Sequence, residues 1–84
     1  DDDVWVRYFS ARALGRQGSE KSIDALESVL EREKFNHVRI AALDALGQIG
    51  GQRIAGIVTE YVKDDDPDVA QAARAAVDKS RKSG

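Results

Sequence analysis

Several residue types that particular functions need are missing or scarce in this 84-residue sequence. Without cysteine, it can form no disulfide framework, thiol nucleophile or thiolate metal site. It also has no methionine and opens with DDDVWV, so we expect a fragment of a longer protein. No apolar run approaches the roughly 18 residues that span a bilayer, and no secretory signal is present.

The sequence also lacks a large excess of charge of either sign. The chain carries 13 basic and 15 acidic residues, a net charge of -2. A basic field is what nucleic acid or an anionic membrane would require, so neither is favoured as a partner. With 33% charged and 42% hydrophobic residues the chain should fold, and we expect a cytoplasmic protein.

What the sequence does contain is an internal repeat. Residues 37–50 read HVRIAALDALGQIG, and residues 5–18 read WVRYFSARALGRQG, at an offset of 32. A weaker third copy, at an offset of 31, covers residues 68–81 and reads DVAQAARAAVDKSR. Self-similarity at about 30 to 50 residues indicates a solenoid of stacked units.

Hydrophobic periodicity predicts five helices, at about 4–17, 19–34, 36–49, 52–63 and 67–80. Glycine-ended helices alternate with amphipathic ones. Asp3, Asn36 and Asp66 are the expected helix caps, and Gly18 and Gly50 should end the first and third helices. The predicted fold class is therefore an all-α superhelix (α-α solenoid) of about two and a half repeats, a single domain over residues 1–84.

Each of the first two glycine-ended helices carries two stripes. The predicted core stripes are Val6, Ser10, Ala13, Leu14 and Gln17 in the first copy, and Val38, Ala42, Ala45, Leu46 and Ile49 in the second. The second stripes are Trp5, Tyr8, Phe9, Arg12 and Arg16, and His37, Ile40, Ala41, Asp44 and Gln48. The core stripe keeps its chemistry between copies while the second stripe changes.

The pattern V-R-x-x-A-A-x-A-L-G-x-I-G resembles the HEAT-like repeats of the phycobilisome (PBS) lyase class. The resemblance extends over essentially the whole chain, although the third copy has Asp78 and Arg81 where the pattern has glycines. It implies that the glycine-ended helices line a concave side and that their variable positions contact partners. It also implies that Arg7 and Arg39 brace an acidic turn, with Asp3, Asp65 and Asp66 as candidate partners.

Structural roles are expected for residues that recur at fixed places. These are Arg7, Arg39, Asp3, Asp66, Gly15, Gly18, Gly47 and Gly50. Small residues let helix backbones approach closely, so successive helix pairs can stack at a short spacing.

The candidate partner-binding surface is the second stripe. It comprises Trp5, Tyr8, Phe9, Arg12, Arg16, His37, Ile40, Asp44 and Gln48. Aromatic and arginine side chains dominate interface hot spots, which favours this surface. Packing of Trp5 and Phe9 on a helix before residue 4 is an equal alternative, and His37 lacks the local partners that a catalytic or ligand role needs.

The leading functional hypothesis is a protein-interaction scaffold with an unknown protein partner. A fragment or accessory subunit of a phycobilin lyase is the alternative, and a DNA-binding HEAT-like module is less favoured because the second stripe mixes Arg12 with Asp44. The acidic runs 1–3 and 64–66 lack the glycine and distal glutamate of a calcium loop. We expect no metal, no cofactor and no catalysis by this chain, while uncapped solenoid ends leave self-association open.

Overall fold

The computed structural model describes residues 3–83, and within them every regular element is an α-helix. This confirms the all-α solenoid and its five helices. The helices are α1 (Val4–Gln17), α2 (Glu20–Arg32), α3 (Asn36–Ile49), α4 (Gln52–Thr59) and α5 (Pro67–Ser83). None of the described helices is long and apolar enough to cross a membrane.

The helices form two layers in a slab of 34 × 29 × 15 Å. The glycine-ended helices α1 and α3 and the final helix α5 lie side by side, because α3 packs on both of the others. The amphipathic helices α2 and α4 cover one face of this inner layer. Arg53 of α4 ties the outer layer together by binding the carboxylates of Glu20 and Asp24 on α2.

Glycine ends two of the inner helices. Gly18 adopts a left-handed conformation with φ of 65°, and its N–H donates to the Leu14 carbonyl. Gly50 has φ of 73° and donates to the Leu46 carbonyl. Both conformations are ones that residues with a Cβ seldom adopt. In α5 Arg81 stands at the equivalent place, so the helix runs on to Ser83 and past the predicted end at 80.

Two other predicted boundaries differ from the structure. α4 ends at Thr59 rather than at 63, because the next turns tighten: the Tyr61 N–H donates to the Val58 carbonyl and the Val62 N–H to the Thr59 carbonyl. α2 covers Glu20–Arg32 rather than 19–34, since Ser19 accepts from the Ser22 N–H as its N-cap and residue 33 is extended.

The core is centred on α3, which packs against each of the other four helices. Leu43, Leu46 and Val38 are fully buried there, and Leu26 of α2 and Val69 of α5 pack into the same interior. The core stripe predicted for α3 lies in or at the edge of this interior, and Ala41, assigned to the second stripe, is also buried.

The core stripe predicted for α1 is largely wrong. Val6 is 48% exposed and Ser10, Ala13 and Gln17 are exposed, while the fully covered positions are Ala11 and Gly15. The reason is the place of α1 in the stack. Within the described residues α1 is packed by α3 on one side and by α2 from the outer layer, so the rest of its surface, where Val6, Ser10 and Ala13 lie, stays exposed.

Small residues set the spacing of the inner layer. A Cβ on Gly15 would lie 2.7 Å from Ala45 Cβ, and one on Gly47 would lie 3.2 Å from Ala76 Cα. α1 and α5 therefore approach α3 at the same position of successive repeats. The repeated glycine has a packing role here that is separate from any turn.

The two recurring arginines bind carboxylates at the ends of the outer helices. Arg7 donates from Nε and Nη2 to Glu33 at 2.7 and 3.2 Å, and Arg39 donates from Nη2 to Asp64 at 2.6 Å. These hydrogen bonds hold the pKa values of Glu33 and Asp64 below their ordinary range. The expectation that Asp65 and Asp66 pair with these arginines is wrong. The observed partners are Asp64 and Glu33, and Glu33 lies 26 residues from Arg7.

The capping residues divide between two roles. Asp3 accepts from the Trp5 N–H, and Asp66 accepts from the N–H groups of Asp68 and Val69, as N-caps do. Asn36 is not the cap of α3, because it is already helical. Its side chain donates to Asp66 and accepts from Arg39, so it joins two repeats instead.

Candidate functional site

An inner groove of about 460 Å³ runs across the exposed face of the inner layer. Its residues come from α1, α3 and α5. They are Tyr8, Arg12, Arg16, Ile40, Ala41, Asp44, Ala45, Gln48 and Lys79. Six of the nine residues predicted as the partner surface lie here together, because equivalent positions of neighbouring repeats face the same way in a parallel stack.

Cations outnumber carboxylates along the inner groove. Arg12, Arg16 and Lys79 face a single carboxylate, Asp44. The groove walls partly desolvate Asp44, although its side chain reaches solvent at the mouth, and this desolvation raises its pKa. Lys79 and Arg12 oppose that rise. The groove is therefore suited to anionic groups while keeping one acceptor at its centre.

Lys79 is the groove residue that the sequence analysis missed. It follows Gln48 by 31 residues and Gln48 follows Arg16 by 32, which are the offsets of the repeat itself. The register therefore placed Lys79 on the second stripe of α5. The weak third copy obscures this position, because Ala70, Asp78 and Arg81 depart from the repeat pattern.

Next to the inner groove lies an aromatic cleft of about 180 Å³. It is lined by Val4, Trp5, Tyr8, Phe35 and His37. Tyr8 belongs to both surfaces: its ring meets the Trp5 ring edge-on at 5.7 Å between centroids, and the Arg12 guanidinium lies 5.8 Å from its centroid. The cleft and the groove are thus continuous through one side chain.

The sequence left two alternatives for Trp5 and Phe9, which are contact with a partner and packing on a preceding helix. Trp5 is 60% and Phe9 58% exposed among the described residues. Trp5 turns into the aromatic cleft, whereas Phe9 lines neither surface and contacts the Tyr8 ring at 5.1 Å between centroids. Trp5 therefore lies in the cleft beside Tyr8 and Phe9 lies outside both surfaces, while partner contact and packing on a preceding helix both stay predictions for Trp5 and Phe9.

Residues of the acidic segments make hydrogen bonds that stabilise the fold. Asp64 binds Arg39, and Asp66 caps α5 and accepts from Asn36. Asp1 and Asp2 lie outside the described residues. Within 3–83, no three His, Asp or Glu side chains gather as they would around a metal ion.

Comparison with known proteins agrees with this architecture. A family model described as HEAT repeats matches residues 1–78. Deoxyhypusine hydroxylase-B of Oryza sativa subsp. japonica is 33% identical over 73 residues, which cover 86% of this chain and 24% of that protein. Deoxyhypusine hydroxylase of Rattus norvegicus is 32% identical over 78 residues, or 92% of this chain and 26% of the relative. The Danio rerio enzyme of the same name is 31% identical over the same shares.

These relatives overturn one prediction. We expected no enzyme, yet all three relatives are named for an enzymatic activity, so that expectation is wrong as it stood. The helical pattern carries no signature of that activity. None of these three relatives is named for a phycobilisome lyase. The chain spans about a quarter of their length. With the repeat, the stacked helices and the matching family model all in agreement, the chain belongs to the HEAT-repeat family.

Proposed function

We propose that this chain is a protein-interaction module that holds a segment of a protein partner in the inner groove. The observation that carries the proposal is the convergence of Tyr8, Arg12 and Arg16 with Ile40, Asp44 and Gln48 on one surface. The four polar side chains among them are exposed, while Tyr8 and Ile40 are partly buried and pack against the edge of the core. HEAT repeats as a class support a scaffold of this kind, and the groove supplies the surface it would use.

A capture experiment with two double variants tests the proposal. Tyr8→Ala with Arg12→Ala removes an aromatic and a cation from the groove, and both side chains are at least partly exposed. Lys21→Glu with Arg32→Glu changes exposed charges on α2, which lines no part of the groove. We expect the groove variant to lose partner capture while it stays folded at the assay temperature, and the α2 variant to keep capture.

Equal loss of capture and of thermal stability in the groove variant would assign Tyr8 and Arg12 to packing. Retained capture in the groove variant would remove the proposal altogether. The two outcomes are separated by measuring the melting temperature of each protein before the capture assay.

A second function follows from the relatives. We propose that the chain is the repeat module of a protein with deoxyhypusine hydroxylase activity, because three enzymes of that name align with 86 to 92% of it. Incubating the parent protein with a deoxyhypusine-bearing protein, dioxygen and a two-electron reductant should convert one C–H bond of that side chain to C–OH and release water, a gain of one oxygen atom by mass spectrometry. An unchanged mass under conditions in which a known hydroxylase acts would rule this activity out.

Neither other alternative has an observation in its favour. Phycobilin lyase activity finds no support among these relatives, and DNA binding would require a more uniformly basic groove than one that includes Asp44. A cytoplasmic location and self-association through the ends of the stack stay proposals. Phycocyanobilin absorbance checks the lyase alternative, DNA mobility shifts check DNA binding, and sedimentation of the chain checks self-association.

A further inference from the structure

The aromatic cleft and the inner groove differ in chemistry and follow one another along α1. At the cleft end are Trp5 and Tyr8, with Phe35 and His37 opposite. One helical turn beyond Tyr8 comes Arg12, and one turn beyond that comes Arg16. A ligand lying along α1 would therefore meet an apolar recess first and two guanidinium groups afterwards.

We propose that this continuous surface binds an extended peptide that has one large apolar residue and acidic residues two and four positions away from it. The inference rests on the proposed function and adds the class of segment that the groove recognises. Charge complementarity sets the acidic part, because three cations face one carboxylate along the groove. The size of the cleft, about 180 Å³ with mainly apolar walls, sets the single anchoring side chain.

The spacing follows from the geometry of helices and strands. An α-helix rises about 1.5 Å per residue, so Arg12 lies roughly 6 Å along α1 from Tyr8, where the cleft meets the groove, and Arg16 lies about 6 Å further. An extended peptide advances about 3.3 Å per residue and turns every second side chain to the same face, so an apolar residue beside Tyr8 and acidic residues two and four positions away all face α1. The spacing holds for either chain direction of the peptide.

Lys79 and Asp44 refine this preference. Lys79 enters from α5 on the far side of the groove, so an acidic side chain near Arg16 has cations on both walls. Asp44 lies between them and would repel an anion placed at the groove centre, but it would accept from a peptide N–H. Alternating acidic and neutral positions are therefore favoured over a continuous acidic run.

The chain contains its own reporter for the test. Trp5 is its only tryptophan and is 60% exposed, so burial of its indole in the complex shifts its emission to shorter wavelength. The probe is a synthetic ten-residue peptide of glycine and serine with leucine at one position and glutamate two and four positions later. It is made in both sequence orders and titrated into the full chain.

One of the two peptide orders should bind and shift the Trp5 emission. Replacing its leucine by alanine should weaken binding about tenfold. Replacing both glutamates by lysine should weaken it about tenfold or more, because like charges would then face one another. Added salt should weaken binding of the glutamate peptide and leave binding of a glutamine version unchanged, since exposed charge pairs are screened.

Variants of the chain complete the test. Arg12→Glu with Arg16→Glu should favour the lysine peptide over the glutamate peptide, and Lys21→Glu with Arg32→Glu should leave the original preference intact. Equal binding of glutamate and lysine peptides, or no emission shift with either order, would overturn the inference. If partner capture still depends on Tyr8 and Arg12 in that case, the proposed function stands and only the peptide class is wrong.

Discussion

Replacing Gly15 with alanine tests the close approach of α1 and α3 on which the stack depends. The new Cβ would lie 2.7 Å from Ala45 Cβ and 2.9 Å from Ala45 Cα. Carbon atoms in contact prefer about 3.5 to 4.0 Å, so the helices must move apart or the side chains must deform. Gly56, in the middle of α4, is the matched control because a Cβ there meets nothing within 4 Å.

The two substitutions share one effect and differ in another. Alanine in a helix interior is more stable than glycine by about 0.5 to 1 kcal/mol, and this gain applies at both sites. Overpacking costs about 1 to 3 kcal/mol and applies to Gly15→Ala alone. Gly56→Ala should therefore stabilise the chain, and the difference between the two variants should equal the packing cost.

Urea and thermal unfolding followed by far-UV circular dichroism measure both variants. For a domain of this size 1 kcal/mol corresponds to about 4 to 8 °C in melting temperature, so the variants should differ by at least about 4 °C. Equal stabilisation by both substitutions would show that α1 and α3 do not approach as closely as described. Destabilisation of both would show that α4 is not an ordinary helix around Gly56.

Further predictions concern the buried arginine pairs and the helix ends. Arg39→Ala should lower the free energy of unfolding by about 1.5 to 3 kcal/mol, since it removes a charged hydrogen bond to the half-buried Asp64. Arg53→Ala, on the exposed outer face, should leave the free energy of unfolding close to wild type in the same urea titration. Gly18→Ala should lose about 1 to 2 kcal/mol because φ of 65° disfavours a Cβ; unchanged unfolding would contradict the left-handed cap. Glu33 has a pKa below its ordinary value of 4.5 in the folded state because of Arg7, so its stabilisation is complete above about pH 4.5 and is lost as the pH falls through the folded value. Glu33→Gln should flatten the acid limb of the stability profile, and an unaltered limb would remove that role.

The sequence predicted the architecture well because the repeat register determines which helix positions share a surface. Arg12, Asp44 and Gln48 could be grouped from two aligned copies alone. Burial in α1 could not be predicted this way. Val6 and Val38 hold the same position of the repeat, but one is 48% exposed and the other fully buried, since burial depends on how many neighbours a helix has in the stack.

The partners of the recurring arginines also required the structure. Arg7 reaches Glu33 and Arg39 reaches Asp64 across 25 to 26 residues of chain, and no local pattern distinguishes these acids from their neighbours. The enzymatic name of the relatives was equally out of reach, because a helical repeat pattern specifies packing and carries no reaction signature.

The most direct test of the central claim is site-specific photo-crosslinking at the inner groove. A photoreactive phenylalanine at Gln48, which is exposed and lines the groove, is compared with the same residue at Glu31 on the exposed side of α2. If the groove holds a protein segment, a crosslinked product forms from position 48, is absent from position 31, and is lost when Tyr8 and Arg12 are replaced by alanine. Equal crosslinking from both positions, or from position 31 alone, would contradict the account.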